Sequence, residues 1–257
     1  MPHLGKDLYA AFLCLWIEYE VRVEPVWKYI FIKAMHGGSS EQEALIKKSL
    51  IDYVQKKYKG DRENRLCGKD DNEKDVLLLE KLCDALNNAE IKRGEYGKPY
   101  IAVKDTDFAG FDGSARGAKL LKCVEFSVSH SGGLFACAVA ERKVGVDIQE
   151  IRKADTFGIA ERFFADEERA YAKEHGEGGF FDIWVRKEAV IKCTGRGLAQ
   201  GLSSFSTVGA QSLDEDKKTV FALLNEIELD GELHGKYSLL NVDISPEMKC
   251  AVCIFEG

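Results

Sequence analysis

Hydrophobic positions in the first part of the chain recur at helical spacing in two stretches. The first predicts a helix over residues 41–58, since Ser40 and Glu43 have the spacing of a capping box and Gly60 provides a stop. Its expected core face carries Ile46, Leu50, Tyr53 and Val54. The second predicts a helix over residues 73–87, with one stripe formed by Leu79, Leu82, Cys83 and Leu86. The unbroken apolar run 8–17 predicts a buried strand.

The pattern becomes that of β-structure from Cys123 onwards. Apolar and polar residues alternate over 124–129, and two more apolar runs cover 134–141 and 144–151. The short polar link 141–143 predicts a hairpin between the second and third of these strands. Surface loops are expected at 59–75 and 104–119, and Gly97 and Pro99 predict a turn around Lys98.

Helical patterns return after residue 155. They predict helices over 156–164, from 166 to about 175, and over 180–193 with a stop at Gly195, followed by strands near 203–208, 218–229, 233–243 and 248–255. Because strands cluster instead of alternating with helices, the order indicates an α+β protein. We divide it into an N-terminal half, 1–120, and a C-terminal half, 121–257.

Composition narrows the class of protein. The 257 residues are 45% hydrophobic, enough for a sizeable core, and the net charge of −7 argues against a nucleic-acid binder. The apolar stretch 8–17 is too short for a membrane helix and lacks the features of a signal peptide. Most of the eight cysteines lie in apolar runs, so we expect buried thiols in a cytoplasmic protein without a membrane anchor.

Two segments carry residues suited to a divalent cation. Asp147 and Gln149 are two apart on a predicted strand and therefore share a face, where their oxygens suit Mg²⁺, although a solvated strand end is the simpler alternative. Trp184, Glu188 and Lys192 are spaced by four on a helix that is otherwise largely apolar. Glu188 and Lys192 suit either a surface ion pair or a site with a metal and phosphates.

Ser129 and His130 end a predicted strand and are followed by Ser131, Gly132 and Gly133. A hydroxyl, an imidazole and free backbone N–H groups at such a turn make a candidate anion cradle. A serine-hydrolase triad is not indicated, because adjacent strand residues point apart and no third member is placed. The other histidines lack the spacing of a zinc site.

Four motifs in order resemble the 4′-phosphopantetheinyl transferases of the larger, Sfp-like type. They are GKPY (97–100), FSVSHS (126–131), GVDIQ (145–149) and WVRKEAVIKCTGRGL (184–198), and the likeness covers about residues 95–205. The resemblance implies two similar α+β halves related by a pseudo-twofold axis, with the ligand between them. It also implies Mg²⁺-dependent transfer of the phosphopantetheine arm of coenzyme A to a serine of an acyl or peptidyl carrier protein, releasing adenosine 3′,5′-bisphosphate. One chain would form its whole cleft, so we expect a monomer.

The resemblance also implies roles for individual residues. Asp147 and Glu188, with Gln149, would be the metal ligands, and Glu188 and Lys192 would be catalytic. The coenzyme A contacts would come from Lys98, Ser129, His130, Lys187 and Lys192.

Two departures from the family pattern keep alternatives open. Gln149 stands where many relatives have a glutamate, and the arginine-rich motifs of the first half have no clear counterpart, since Arg62 and Arg65 lie in a charged stretch. A non-catalytic module that binds coenzyme A or a carrier protein is therefore the second hypothesis. A metal-dependent phosphohydrolase is the third.

Overall fold

The computed structural model describes residues 17–23, 26–35, 37–63, 69–102, 104, 114–197, 201–208, 221–229, 235–242 and 244–257. The helices are α1 (Ser39–Glu63), α2 (Lys69–Asn88), α3 (Ser114–Cys123), α4 (Thr156–Phe163) and α5 (Asp166–Thr194), with a 3₁₀ turn at Leu202–Ser204. The strands are β1 (Ile17–Val23), β2 (Val26–Ala34), β3 (Glu90–Arg93), β4 (Pro99–Ala102), β5 (Glu125–Ser131), β6 (Leu134–Ala140), β7 (Val144–Glu150), β8 (Phe221–Leu229), β9 (Gly235–Val242) and β10 (Met248–Phe255).

Two four-stranded antiparallel sheets form the centre of the protein. The first has the order β1-β2-β6-β5, the second the order β7-β10-β9-β8, and β3 pairs with β4 in a separate hairpin. Alternate residues of the first sheet, such as Phe135 and Cys137, pack beneath α1 and α2. The intervening residues, such as Ala136 and Ala138, pack against the second sheet. The predicted α+β class is confirmed, with helices on the outer faces of two stacked sheets.

The hairpin predicted across residues 141–143 is wrong. Strand β6 already pairs with β2 on one side and β5 on the other, so the three-residue link carries the chain into the second sheet, where β7 pairs with β10. A hairpin instead joins the two preceding strands, β5 and β6, through Gly132 and Gly133 at φ +57° and +76°. Glycine adopts these angles without the steric cost that a Cβ adds.

The predicted helices are present, but several boundaries differ. Helix α1 runs to Glu63, past the stop expected at Gly60, and its predicted core residues are all buried. Helices α2 and α3 begin inside the expected loops, at Lys69 and Ser114. The break expected near residue 175 is confirmed, since Gly176 has φ +64° inside α5, and Gly195 ends that helix at φ +74°.

The strand expected at 203–208 is wrong, because residues 202–204 form a 3₁₀ turn. The strand expected at 8–17 lies outside the described residues except for Ile17.

The first sheet takes strands from both sides of residue 120, since β6 pairs with β2 and β5 pairs with β6. The domain boundary at that residue stays a prediction. No helix in the described part of the chain is long and apolar enough to cross a bilayer.

Candidate active site

A cavity of about 360 Å³ opens between β5 of the first sheet, the β3–β4 hairpin and the end of α5. Four of the predicted coenzyme A contacts line it: Lys98, Ser129, His130 and Lys192. Strands β5 and β7, each at the edge of its own sheet, lie side by side along this cavity. The structure thus brings residues from three of the four sequence motifs to one place.

The serines of β5 join the two sheet edges. Ser127 Oγ accepts a hydrogen bond from the backbone N–H of Val146 at 3.1 Å, and Ser131 Oγ accepts one from Glu150 at 3.0 Å. Edge strands otherwise leave such N–H groups without a partner in the sheet. The alternation of serines in FSVSHS therefore provides side-chain hydroxyls where a regular sheet would provide carbonyls.

Asp147 is held by contacts from both sides. Its Oδ1 atom accepts a hydrogen bond from Ser129 Oγ at 2.7 Å and pairs with Lys192 Nζ, also at 2.7 Å. The carboxylate is only 6% exposed. Both contacts are to Oδ1, so within the described residues Oδ2 remains available for a further ligand. Ser129, expected at a phosphate, thus orients a carboxylate here.

Gly145 brings β7 against α5. A Cβ atom at this residue would lie 1.9 Å from the carbonyl oxygen of Ala189 and 2.4 Å from the backbone N of Cys193. These distances are far inside van der Waals contact, so only glycine fits between strand and helix. The close approach brings Glu188, which precedes Ala189, towards Asp147, which lies two residues after Gly145.

Glu188 is half-buried, and burial raises the pKa of its carboxyl group above the usual value. The nearby negative charge of Asp147 raises this pKa further, while Lys192 lowers it. Among the residues that the structure describes, Glu188 has no hydrogen bond or close ion pair. Two neighbouring carboxylates with only one ammonium group between them favour a bound cation.

The donor set fits Mg²⁺ rather than a softer metal. Gln149 lies on the same face of β7 as Asp147, and its amide Nε2 donates to the carbonyl of Glu150 at 3.3 Å. No group of three or more His, Cys, Asp or Glu side chains suited to a metal occurs among the described residues. Mg²⁺ commonly binds one or two carboxylates together with ligand phosphates. Asp147 and Glu188 suit that pattern, while metal ligation by Gln149 stays a prediction.

Lys98 connects the β3–β4 hairpin to the rest of the site. Its ammonium group lies 3.2 Å from the Glu125 carboxylate and donates to the carbonyls of Val144 and Cys193 at 3.3 and 3.5 Å. Positive charge is favourable at a helix C-terminus, where Cys193 lies. His130 is exposed at the end of β5 and lines the same cavity.

Lys187 does not lie at the cavity, which contradicts its expected contact with coenzyme A. Its side chain is 0% exposed, and its Nζ atom pairs with Glu168 Oε2 at 2.7 Å. Nζ also donates to the carbonyls of Leu202 and Phe205 at 2.7 and 2.6 Å. All three ammonium hydrogens therefore have acceptors, and a phosphate has no access. Lys187 adjoins Glu188 in sequence, but neighbouring helix residues project about 100° apart.

Sequence reasoning missed three residues that line the cavity: Gln42, Arg93 and Tyr96. Arg93 ends β3, opposite Pro99, and its Nη1 atom donates to the carbonyl of Gly97 at 3.0 Å. A short strand on each side of the predicted turn was the available signal. Pairing these two strands would have placed Arg93 beside Lys98. Of the two arginines considered from sequence, Arg62 lies in α1 and Arg65 lies outside the described residues.

Comparisons with known proteins agree with the motif order. A family model for the 4′-phosphopantetheinyl transferase superfamily matches residues 143–253. A 4′-phosphopantetheinyl transferase of Bacillus subtilis, ffp, is 32% identical over 187 residues, which is 70% of each chain. The 4′-phosphopantetheinyl transferase psf-1 of Bacillus pumilus is 42% identical over 102 residues, which is 38% of this chain and 42% of psf-1.

A further 4′-phosphopantetheinyl transferase of Bacillus subtilis is 34% identical over 164 residues, or 62% of this chain and 60% of its own. The chain thus spans about half the length of several relatives that it matches. The match to ffp covers more than two thirds of both proteins. From this match and the site geometry, we conclude that the chain belongs to the 4′-phosphopantetheinyl transferase superfamily, with similarity to its Sfp-like members.

Proposed function

We propose that this protein transfers the 4′-phosphopantetheine arm of coenzyme A to a serine of an acyl or peptidyl carrier protein. The observation that carries the proposal is the ion pair of Asp147 with Lys192, whose charges both act on Glu188, because Lys192 lines a cavity with further basic side chains. Family membership supports the reaction class. A ligand with a pyrophosphate and a 3′-phosphate supplies the anions that Arg93, Lys98 and His130 can face.

The reaction forms a bond between the carrier serine Oγ and the phosphorus next to the pantetheine. It breaks the bond from that phosphorus to the bridging oxygen, which leaves with adenosine 3′,5′-bisphosphate. Glu188, whose pKa is raised by burial, can accept the serine proton on a carboxylate oxygen. Lys192 can hold or protonate the departing phosphate. Mg²⁺, held by Asp147 and Glu188, would neutralise the negative charge of the pyrophosphate when bound.

The nucleophile belongs to the carrier protein, so this chain needs no activated serine or cysteine of its own. Ser129 and Lys192 both contact Oδ1 of the Asp147 carboxylate, which restrains its orientation without occupying Oδ2. The six cysteines within the described residues are free thiols, as suits the reducing cytoplasm. We expect the protein to act there as a monomer.

A mass measurement tests the proposal. Purified protein is incubated with coenzyme A, Mg²⁺ and a panel of apo-carrier proteins, and each carrier is then weighed. The expected result is a gain of one phosphopantetheine group on at least one carrier, which disappears with Glu188→Gln or with a chelator. Failure to modify any carrier, in a preparation that still binds coenzyme A, would overturn the proposal.

Failure to modify any carrier would favour a binding module without transferase activity. Gln149 is the specific reason to keep this candidate, because an amide leaves the metal site with one negative charge fewer than a glutamate. Coenzyme A binding by calorimetry, with and without Mg²⁺, distinguishes the two. A transferase should bind coenzyme A more tightly with the metal, whereas a module lacking the metal should show no difference.

A further inference from the structure

The structure has a second cavity, of about 470 Å³. It is bounded by both segments of α5 and by the connection from β9 to β10. Its polar lining comes from Tyr171, Asp182, Arg186, Asn241, Ser245 and Lys249. None of its lining residues belongs to the first cavity. Arg186 and Lys192 are separated by about 9 Å along α5, at about 1.5 Å per residue.

Arg186 is the central side chain of this second cavity. The residue is only 5% exposed, and its guanidinium carbon lies 5.4 Å from the centre of the Tyr171 ring. The Tyr171 ring also stacks on His175, and the two ring centres lie 4.2 Å apart. The break at Gly176 turns the chain so that Tyr171 and Arg186 can meet. The Tyr171 ring therefore packs against the guanidinium.

Most of the hydrogen-bonding capacity of Arg186 is unused. Its Nε atom donates to Asn241 Oδ1 at 3.4 Å, which is a long hydrogen bond. Among the described residues, it makes no other hydrogen bond and no ion pair. A guanidinium has five N–H donors, so both terminal nitrogen atoms are left without a protein acceptor there.

The charge of Arg186 is also uncompensated locally. The carboxylate that lines the cavity, Asp182, pairs with Lys249 at 3.0 Å. The cavity therefore carries two cationic groups and one anionic group in a protein whose net charge is −7. Among the described residues, the terminal nitrogen atoms of Arg186 are not fully enclosed by protein and face the cavity, where a carboxylate or phosphate could reach them.

We propose that this cavity binds a small oxyanion, through a phosphate or carboxylate group that contacts both terminal nitrogen atoms of Arg186. The planar guanidinium matches two oxygens of either group, and the Tyr171 ring packs against it. The charge of Lys249 is already balanced by Asp182, so Arg186 supplies the unpaired positive charge of the cavity. The site lies beside β7, since Lys249 is opposite Gln149 in the β10–β7 pairing, but it shares no lining residue with the first cavity. Binding of phosphate or acetate without coenzyme A or Mg²⁺ therefore tests it separately from the proposed transferase reaction.

Nuclear magnetic resonance of the full chain labelled with ¹⁵N-arginine tests this site directly. The probes are inorganic phosphate and, separately, acetate, and the readout is the Nε–H resonance that is lost in Arg186→Lys. We expect a saturable shift of this resonance with at least one probe. The two titrations show which oxyanion the site prefers, and no saturable shift with either would overturn the proposal.

Variants then locate the binding. Arg186→Met, which keeps the length and removes the charge, should weaken binding at least tenfold by calorimetry, and Arg186→Lys should retain weaker binding. Arg142→Met is the matched control, since Arg142 pairs with Glu256 elsewhere, and it should bind as the wild type does. Equal binding by Arg186→Met and the wild type would overturn the proposal. If Arg186→Met does not fold, Asn241→Ala should instead change the Arg186 Nε–H resonance and its response to the probe.

Discussion

Two lysines of helix α5 each form an ion pair with a carboxylate at 2.7 Å, but the two pairs differ in their exposure to solvent. In the Lys187–Glu168 pair both side chains are 0% exposed. In the Lys192–Asp147 pair the lysine is 28% exposed and the aspartate 9%. The first pair is buried between the two segments of α5 and the chain at Leu202 and Phe205, and the second borders the first cavity. Equal contact distances therefore do not imply equal roles, because access to the pair decides whether a ligand can reach it.

The buried pair has no capacity left for a ligand. Glu168 accepts hydrogen bonds from Ala165 N at 2.9 Å and from both Thr207 N and Thr207 Oγ1 at 2.8 Å. Burial lowers the pKa of Lys187, and the charge of Glu168 opposes that shift. The pair joins the two segments of α5 to the chain around Thr207. The exposed pair instead leaves Asp147 Oδ2 and the Glu188 carboxylate available.

The largest expected effect is on catalysis at Glu188, beside the exposed pair. Glu188→Gln removes the proton acceptor and a metal ligand, so transfer should fall by at least roughly 10²–10⁴-fold, the usual contribution of a placed base. The measurement is the rate of carrier modification by mass spectrometry. Circular dichroism should show a folded protein, and a variant with wild-type rate would contradict the assignment of Glu188.

The largest expected effect on stability belongs to the buried pair. Lys187→Met leaves Glu168 buried without its cation, which should reduce the free energy of unfolding by about 3–5 kcal/mol. Urea unfolding measures the change. Lys173→Met, on an exposed position of the same helix, is the control and should change it little. If Lys187→Met instead lost transfer activity while its stability was unchanged, that result would support a role of Lys187 in the active site.

A double substitution sharpens this interpretation. Lys187→Met with Glu168→Leu removes both charges, so the double variant should be more stable than Lys187→Met alone. Recovery should be incomplete, because Thr207 and Ala165 lose their acceptor, at about 1–3 kcal/mol for each donor that stays buried. The coupling energy from a double-mutant cycle is the measurement. Additive effects would show that the two residues do not act as a pair.

A matched pair of serine variants separates support of the fold from support of the site. Ser127→Ala removes the acceptor for Val146 N–H and should cost about 1–3 kcal/mol of stability. Ser129→Ala removes the donor to Asp147, a bond to a charged group worth about 1.5–3 kcal/mol, and should lower transfer roughly tenfold. Unfolding and transfer assays on both variants provide the test, and the reverse pattern would contradict these roles.

The smallest expected effect is the pH dependence of stability near Glu188. Its pKa in the folded protein is raised above the usual 4.5, so the folded state binds the proton more tightly than the unfolded state. The wild type, without metal, should therefore be less stable than Glu188→Gln at neutral pH, and the gap should narrow as pH falls towards 4.5. Thermal unfolding midpoints across this pH range measure the difference in stability between the two proteins. A difference that widens as the pH falls would contradict the predicted sign.

Local patterns were sufficient to predict much of the fold. Helical spacing identified the buried face of α1, and glycines marked the break and the end of α5. The link 141–143 was misassigned because three polar residues suit either a hairpin or a step between sheets. The choice depends on which strand edges are already paired, and pairing between distant segments leaves no local trace.

The candidate site was predicted in its residues more fully than in its contacts. Asp147 and Lys192 form an ion pair and their charges act on Glu188, while the roles of all three in catalysis and metal binding stay predictions. The bond from Ser129 to Asp147 depends on two sheet edges lying together, and the pairing of Lys187 with Glu168 depends on the turn at Gly176. Such long-range arrangements are not encoded by spacing within one element.

Gly145 fixes the separation of the two backbones that carry Asp147 and Glu188, independently of side-chain volume. The main chains of strand and helix touch there, so a neighbouring core residue that becomes larger or smaller cannot draw them closer. A rotamer change cannot part them either, since peptide groups have no rotamers. Tolerance to substitution in the surrounding core and intolerance at this single position are therefore two results of the same backbone contact.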